Sequence, residues 1–326
     1  MNHSIHPDTA PNEQRREQSD RAMRPARISG SAIEVDVMIY RGGLSALRPL
    51  VIINSLDFPM PPSDTFCQLM WQAGYQTIFV RRPGFGSTRS LPDALLADDS
   101  VQNGAAIVGE AALINALIKT MGLEDIVLLG IGSANPVCYR LSKLNPDIKL
   151  SIFANPTFNQ DIWDVFRPQW LQAMLRQTLI SKSGLKIATQ GLKAILKKRP
   201  IWFFKQVVQK SAGDVEYVTQ NSEDFIEASR LLQNVTPQTV FYDVRMSLVT
   251  DPFLKDDFFN ETSSVILSGS ETTERWQSQL NQEADRLGLP VVYAPAGDMY
   301  VPYASPETLI DILPKPRATE SVPVFY

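Results

Sequence analysis

Short apolar runs alternate with helical patterns along most of the chain. Period-two alternation or short apolar runs predict strands at residues 31–40, 49–54, 76–80, 125–129, 149–153, 264–267 and 291–294. Apolar positions at helical spacing predict helices at residues 63–73, 101–121, 134–144, 271–287 and 306–313. Because the two element types alternate with short connections, we expect the α/β class: a mostly parallel central sheet flanked by helices.

The alternation is interrupted once, between residues 158 and 260, where helical patterns dominate. This pattern predicts a sheet domain, residues 28–157 and 261–314, with residues 158–260 inserted as a helical cap. Residues 1–27 are polar and poor in apolar side chains, so we expect a disordered tail there. Residues 315–326 form a second, C-terminal tail in this interpretation.

Composition excludes several classes of function. The 326 residues carry a net charge of −4, which argues against a nucleic-acid-binding protein. Cys67 and Cys138 are too few for a disulfide framework or a cysteine metal site, and they favour a reducing compartment, the cytoplasm. No apolar run is long enough to span a membrane, and no phosphate-binding or dinucleotide-binding glycine motif predicts a cofactor.

Histidine is confined to the first residues of the chain. His3 and His6 are the only two histidines, and both lie in the predicted tail. A mechanism that needs a histidine base inside the folded domain is therefore excluded, unless the tail folds back onto it.

Four segments together resemble the α/β-hydrolase superfamily, over roughly residues 31–314: residues 51–55, 74–87, 128–134 and 294–298. The second segment contains Arg81-Arg82-Pro83-Gly84-Phe85-Gly86-Ser87, which is similar to a characteristic turn of the family, although Arg82 departs from a residue common there. The resemblance implies a nucleophile elbow at residues 128–134, an acid after the strand at residues 264–267, and a histidine base near residue 298.

The elbow requires small residues two positions before and two after the nucleophile. Gly130 and Ala134 satisfy this requirement, which places Gly132 at the nucleophile position. The alternative register makes Ser133 the nucleophile but puts Ile131 and Asn135 at the small positions. We favour the first register, because Ile131 should clash where the strand and the helix cross. Glycine also adopts the left-handed conformation of the elbow without the strain that serine has there.

The other two triad positions are also replaced. Asp298 occupies the position of the histidine, and Thr272 occupies the position of the acid. Glu271, one residue earlier, is either a displaced acid or a carboxylate that favours the first turn of the next helix.

The backbone N–H groups of Leu56 and Ser133 correspond to an oxyanion hole in this family, but an ordinary loop would look the same in sequence. We expect a cavity where the parallel strands end, roofed by the cap. Its predicted lining is Ser55, Leu56, Gly132, Ser133, Asp298 and Met299. The predicted ligand is mostly apolar, with a hydrogen-bond donor near Asp298.

The first half of the cap is strongly basic. Between residues 158 and 212 there are ten lysines and arginines, and the only acidic residues are Asp161 and Asp164. We favour a solvated basic face whose apolar side packs over the sheet. The alternatives are an anionic ligand, an acidic partner, or peripheral contact with an anionic membrane, for which no lipid-anchor signal is present.

The leading functional hypothesis is a non-catalytic protein that binds an apolar small molecule or a protein partner. The alternative is an enzyme with a serine-independent mechanism, of lyase or cyclase type, in which Asp298 acts as acid or base.

Overall fold

A computed structural model describes residues 20–88, 90–91, 104–158, 181–248 and 254–315. Within these residues one eight-stranded sheet forms the centre of the molecule. Its strands are β1 (Met23–Arg27), β2 (Glu34–Ile39), β3 (Arg48–Ile53), β4 (Tyr75–Val80), β5 (Ile126–Ile131), β6 (Ile148–Ala154), β7 (Ser264–Gly269) and β8 (Val291–Ala294).

The sheet order is β1-β2-β4-β3-β5-β6-β7-β8. The pairs β1–β2 and β2–β4 are antiparallel, and every other pair is parallel. Strands β4, β5 and β7 are buried along their whole length, as expected for parallel strands covered by helices on both faces. The predicted α/β class and mostly parallel sheet are confirmed.

The predicted boundary of the N-terminal tail is wrong. Met23–Arg27, assigned to a disordered segment of residues 1–27, forms edge strand β1 in full antiparallel register with β2. The segment contains Arg24, Pro25 and Arg27, so it lacks the apolar pattern from which a strand is predicted. An edge strand tolerates charges and proline, because one of its sides faces solvent. The expectation for residues 1–19 lies outside the described residues.

Helices cover both faces of the sheet. The helices of the sheet domain are α1 (Asp64–Gln72), α2 (Ala105–Thr120), α3 (Asn135–Leu144), α9 (Glu274–Leu287), α10 (Val301–Ala304) and α11 (Pro306–Ile312). One face packs against α1, α10 and α11, and the other packs against α2, α3 and α9. The beginning of the helix predicted at residue 101 lies outside the described residues.

Between β6 and β7 the described residues are mainly helical. The helices here are α4 (Lys182–Lys198), α5 (Pro200–Val207), α6 (Ala212–Gln220), α7 (Ser222–Asn234) and α8 (Pro237–Leu248). Tyr217 of α6 and Phe225 of α7 pack against Phe58, Tyr300 and Tyr303 of the sheet domain, with ring centroids 4.8–6.4 Å apart. This buried aromatic cluster joins the inserted helices to the end of the sheet.

Candidate functional site

The site begins at a sharp turn between β5 and α3. Gly132 follows the last residue of β5 and has φ +48°, a left-handed conformation that favours glycine. A Cβ on Gly130 would meet Asn135 Oδ1 at 2.6 Å and Cys138 Sγ at 2.8 Å, so the strand and the helix cross too closely for a side chain there. The positive φ falls on Gly132 and not on Ser133, as the favoured register of the turn requires.

Asp57, which the sequence did not single out, occupies the space above this glycine. A Cβ built on Gly132 would overlap Asp57 Oδ2. The same oxygen accepts a hydrogen bond from the backbone N–H of Ser133 at 3.4 Å. Desolvation raises the pKa of Asp57, and the hydrogen bond from Ser133 partly offsets this effect. A carboxylate from the loop after β3 therefore lies where an elbow side chain would project.

Ser133 is held by two further bonds. Its Oγ accepts a hydrogen bond from Leu56 N–H at 2.8 Å and donates one to Asp243 Oδ2 at 3.1 Å. The two N–H groups predicted to form an oxyanion hole, those of Leu56 and Ser133, are thus both bonded to side chains of the protein itself.

A fully buried ion cluster lies next to the turn between β5 and α3. Arg82 Nε is 2.6 Å from Glu110 Oε1, and Arg82 Nη2 is 2.6 Å from Asp243 Oδ1. The Tyr242 hydroxyl donates to Glu110 at 2.6 Å, and Asn54 Oδ1 accepts a bond from Arg82 N–H. Arg82 is 1% exposed.

The charges of this cluster do not balance, because one guanidinium faces two carboxylates. Burial raises the pKa of Asp243 to about 6, although Arg82 opposes the shift. The two carboxylates raise the pKa of Arg82 well above its ordinary value, against the effect of desolvation. Arg82 therefore has a structural role: its ion pairs connect the turn after β4 to α2 and α8.

The loop after β8 carries Asp298. Burial raises the pKa of the Asp298 carboxyl, and a hydrogen bond with Thr272 partly offsets the shift. The residues predicted at the acid and base positions, Thr272 and Asp298, are therefore adjacent in the structure. No group of side chains suited to a metal ion occurs among the described residues.

Glu271 binds the inserted helices, which the sequence did not predict. Its Oε2 accepts bonds from Ser211 Oγ at 2.7 Å, Gly213 N–H at 2.9 Å and Gly297 N–H at 2.9 Å. The expectation that Glu271 supports the first turn of the following helix is wrong. Thr273 caps that helix instead: its hydroxyl accepts a hydrogen bond from the backbone N–H of Trp276.

Asp214 of α6 makes the reciprocal connection. It accepts hydrogen bonds from the N–H groups of Asp298, Met299 and Tyr300, at 3.0, 2.7 and 3.1 Å. Desolvation raises the pKa of Asp214 to about 6, despite these three donors. Glu271 of the sheet domain thus binds backbone of α6, and Asp214 of α6 binds backbone of the sheet domain. These bonds fix the loop that carries Asp298 against α6.

Five of the six predicted lining residues are partly exposed: Leu56, Gly132, Ser133, Asp298 and Met299. Asp57 shares this partial exposure. Ser55 differs, because it is buried and its Oγ accepts a bond from Phe58 N–H within the turn after β3. Ser55 therefore shapes the loop that presents Asp57.

No protein-family model matches the sequence, and no curated protein matches it either. Solved structures do resemble it. The Cif epoxide hydrolase from Acinetobacter nosocomialis superimposes with a TM-score of 0.59 at 14% identity, covering 89% of this chain and 87% of that one. A structure from a study of carboxylesterases of the thaumarchaeon Nitrososphaera gargenis gives a TM-score of 0.59 at 14% identity, covering 89% and 96%.

A third similar structure is an α/β hydrolase enzyme from a deep-sea metagenome library, with a TM-score of 0.53, 14% identity and coverage of 89% and 95%. At such low identity the likeness establishes architecture and no activity. The sheet order, the glycine turn after β5 and these superpositions lead to one conclusion: the chain has the α/β-hydrolase fold.

Proposed function

We propose that this protein is a non-catalytic member of the α/β-hydrolase fold that binds a small molecule at the end of its sheet. The observation that carries the proposal is the position of Asp57, whose carboxylate lies over Gly132 and accepts the N–H of Ser133. A serine hydrolase needs a nucleophile at that turn and free N–H donors beside it. Here a glycine stands at that turn, and the two N–H donors beside it are bonded to side chains of the protein.

The charges at the site favour a ligand with an amine or another hydrogen-bond donor. Asp57 and Asp298 are both partly exposed. The neighbouring cation, Arg82, is fully occupied by Glu110 and Asp243. A carboxylate ligand would have to displace Asp57 from Ser133 N–H, whereas an amine would bind Asp57 without displacing it. Apolar contacts come from Leu56 and Met299, which supports an apolar body with one donor group.

A second candidate function is a serine-independent enzyme of lyase or cyclase type. The observation in its favour is the raised pKa of Asp298, because the partly exposed carboxyl holds a proton more readily than an ordinary aspartate. Its carboxyl would move a proton without a covalent intermediate. This candidate requires chemical change of the bound molecule, which the binding proposal does not.

We expect octylamine to raise the melting temperature of the protein and octanoate, with the same chain length, to have little effect. Asp57→Asn should remove most of the octylamine effect, since it removes the negative charge beside Gly132, and Asp298→Asn should reduce it. The measurement is a thermal-shift titration at constant ionic strength, with isothermal calorimetry for the dissociation constants.

Glu227→Gln is the matched control, because Glu227 is a half-exposed carboxylate of α7 that pairs with neighbouring Arg230. Equal stabilisation of all variants by octylamine would place binding elsewhere and contradict the proposal. Mass spectrometry of candidate ligands after incubation separates the two functions, since only the enzyme changes their mass or structure.

A further inference from the structure

The inserted helices begin with a segment of one charge sign. Residues 181–210 contain eight lysines and arginines and no aspartate or glutamate. The other 296 residues hold 23 basic residues against 35 acidic ones, so this cationic segment belongs to an otherwise acidic protein. We call residues 181–210, which include α4 and α5, the basic segment.

Helix α4 has exposed apolar side chains as well as buried ones. Leu185, Thr189 and Leu196 are buried and face the rest of the protein. At 100° per residue, Ile187 lies about 180° around the helix from these buried side chains, and Ile195 lies about 100° from them. They are 70% and 42% exposed. The expectation that the apolar side of this segment packs over the sheet therefore does not account for Ile187 and Ile195.

Helix α5 continues this exposure. Trp202 is 51% exposed and Val207 is 46% exposed. Nine large apolar residues of the described chain are exposed, and four of them fall within the 21 positions from Ile187 to Val207. Such clustering distinguishes the segment from the isolated apolar residues that occur on any protein surface.

The cations accompany these apolar side chains. Lys186, Lys193 and Lys197 lie along one flank of α4, at positions i, i+7 and i+11, between the buried side chains and Ile187. Lys198 and Arg199 are exposed at the end of the helix. None of these five side chains forms an ion pair with another described residue.

We infer that the basic segment is a peripheral binding surface for an anionic membrane. Lysines beside an exposed tryptophan and aliphatic side chains fit an interface with phospholipid, where the apolar side chains enter the acyl boundary and the cations meet the headgroups. An acidic protein partner would pair with the lysines but would also need an apolar patch of its own to cover Trp202 and Ile187. No described helix is long and apolar enough to cross a membrane, so the contact lies at the surface.

Sedimentation of the full chain with sucrose-loaded vesicles tests this inference. We expect binding to vesicles of phosphatidylcholine with 30% phosphatidylserine, and little binding to phosphatidylcholine alone. Binding should weaken when NaCl is raised from about 0.1 to 0.5 M, because salt screens the headgroup attraction. Lys197→Glu/Lys198→Glu should weaken it by about 25-fold or more, since each lysine near such a surface contributes about fivefold. Trp202→Ser should weaken it with little change in salt dependence.

Matched controls lie on the sheet domain. Lys119→Glu/Lys149→Glu reverses two exposed lysines, and Leu44→Ser removes a side chain that is 52% exposed, close to the value for Trp202. Melting temperatures verify that every variant is folded. Absence of sedimentation with the anionic vesicles, or equal loss in the control variants, would overturn the inference. Binding to soluble polyglutamate without binding to vesicles would overturn it in favour of an acidic protein partner.

Discussion

Replacing Arg82 by methionine is expected to lower the free energy of unfolding by about 3–5 kcal/mol. The guanidinium binds Glu110 and Asp243, and all three side chains are at most 1% exposed. Methionine fills part of the volume but leaves two buried carboxylates without a cation. Urea denaturation of wild type and variant at pH 7 measures the difference.

The control for this effect is Arg230→Met, which breaks an exposed ion pair with Glu227 of the same helix. It should change the free energy of unfolding by no more than about 0.5 kcal/mol. The triple change Arg82→Met, Glu110→Gln and Asp243→Asn should recover part of the loss, because it removes the buried charges together. A loss below about 1 kcal/mol for Arg82→Met alone would contradict the role given to this cluster.

Gly132→Ser is expected to destabilise the protein by about 2–4 kcal/mol and to create no esterase activity. The serine would adopt φ +48°, and its Cβ would overlap the Asp57 carboxylate. Asp57 would then have to move and give up its bond with Ser133 N–H. No histidine is present beyond residue 6 to activate the new hydroxyl.

Gly191→Ser is the matched substitution. Gly191 lies in α4, does not have a positive φ, and has no atom within 4 Å of an added Cβ. Serine there should change stability by less than about 0.5 kcal/mol. A melting temperature for Gly132→Ser equal to that of wild type would mean that the turn is not strained and that Asp57 does not occupy the space.

Local patterns predicted most of the sheet and the turn at its centre. Buried parallel strands are short apolar runs, and residues 291–294 form β8 as predicted. Gly130 and Gly132 were informative because backbone geometry leaves few residue types for such a turn. Strand β1 escaped prediction, since an edge strand with charged residues and proline has no apolar pattern.

The contacts of the site were less predictable, because they join residues far apart in sequence. Arg82 meets Glu110 and Asp243 only once β4, α2 and α8 come together. Asp57 stands one residue after the predicted Leu56, but only the folded loop directs its carboxylate over Gly132. The pairing of Glu271 with α6 likewise depends on how the inserted helices pack, for which no periodicity gives a signal.

The central claim is that the turn after β5 has no nucleophile, because a glycine stands there and Asp57 occupies the space above it. Incubation of the wild-type protein with a fluorophosphonate probe, followed by intact-mass spectrometry and peptide mapping, tests this claim most directly. We predict no labelling under conditions in which an active serine esterase is labelled completely. Stoichiometric labelling of Ser133, or of any other serine, would contradict the account.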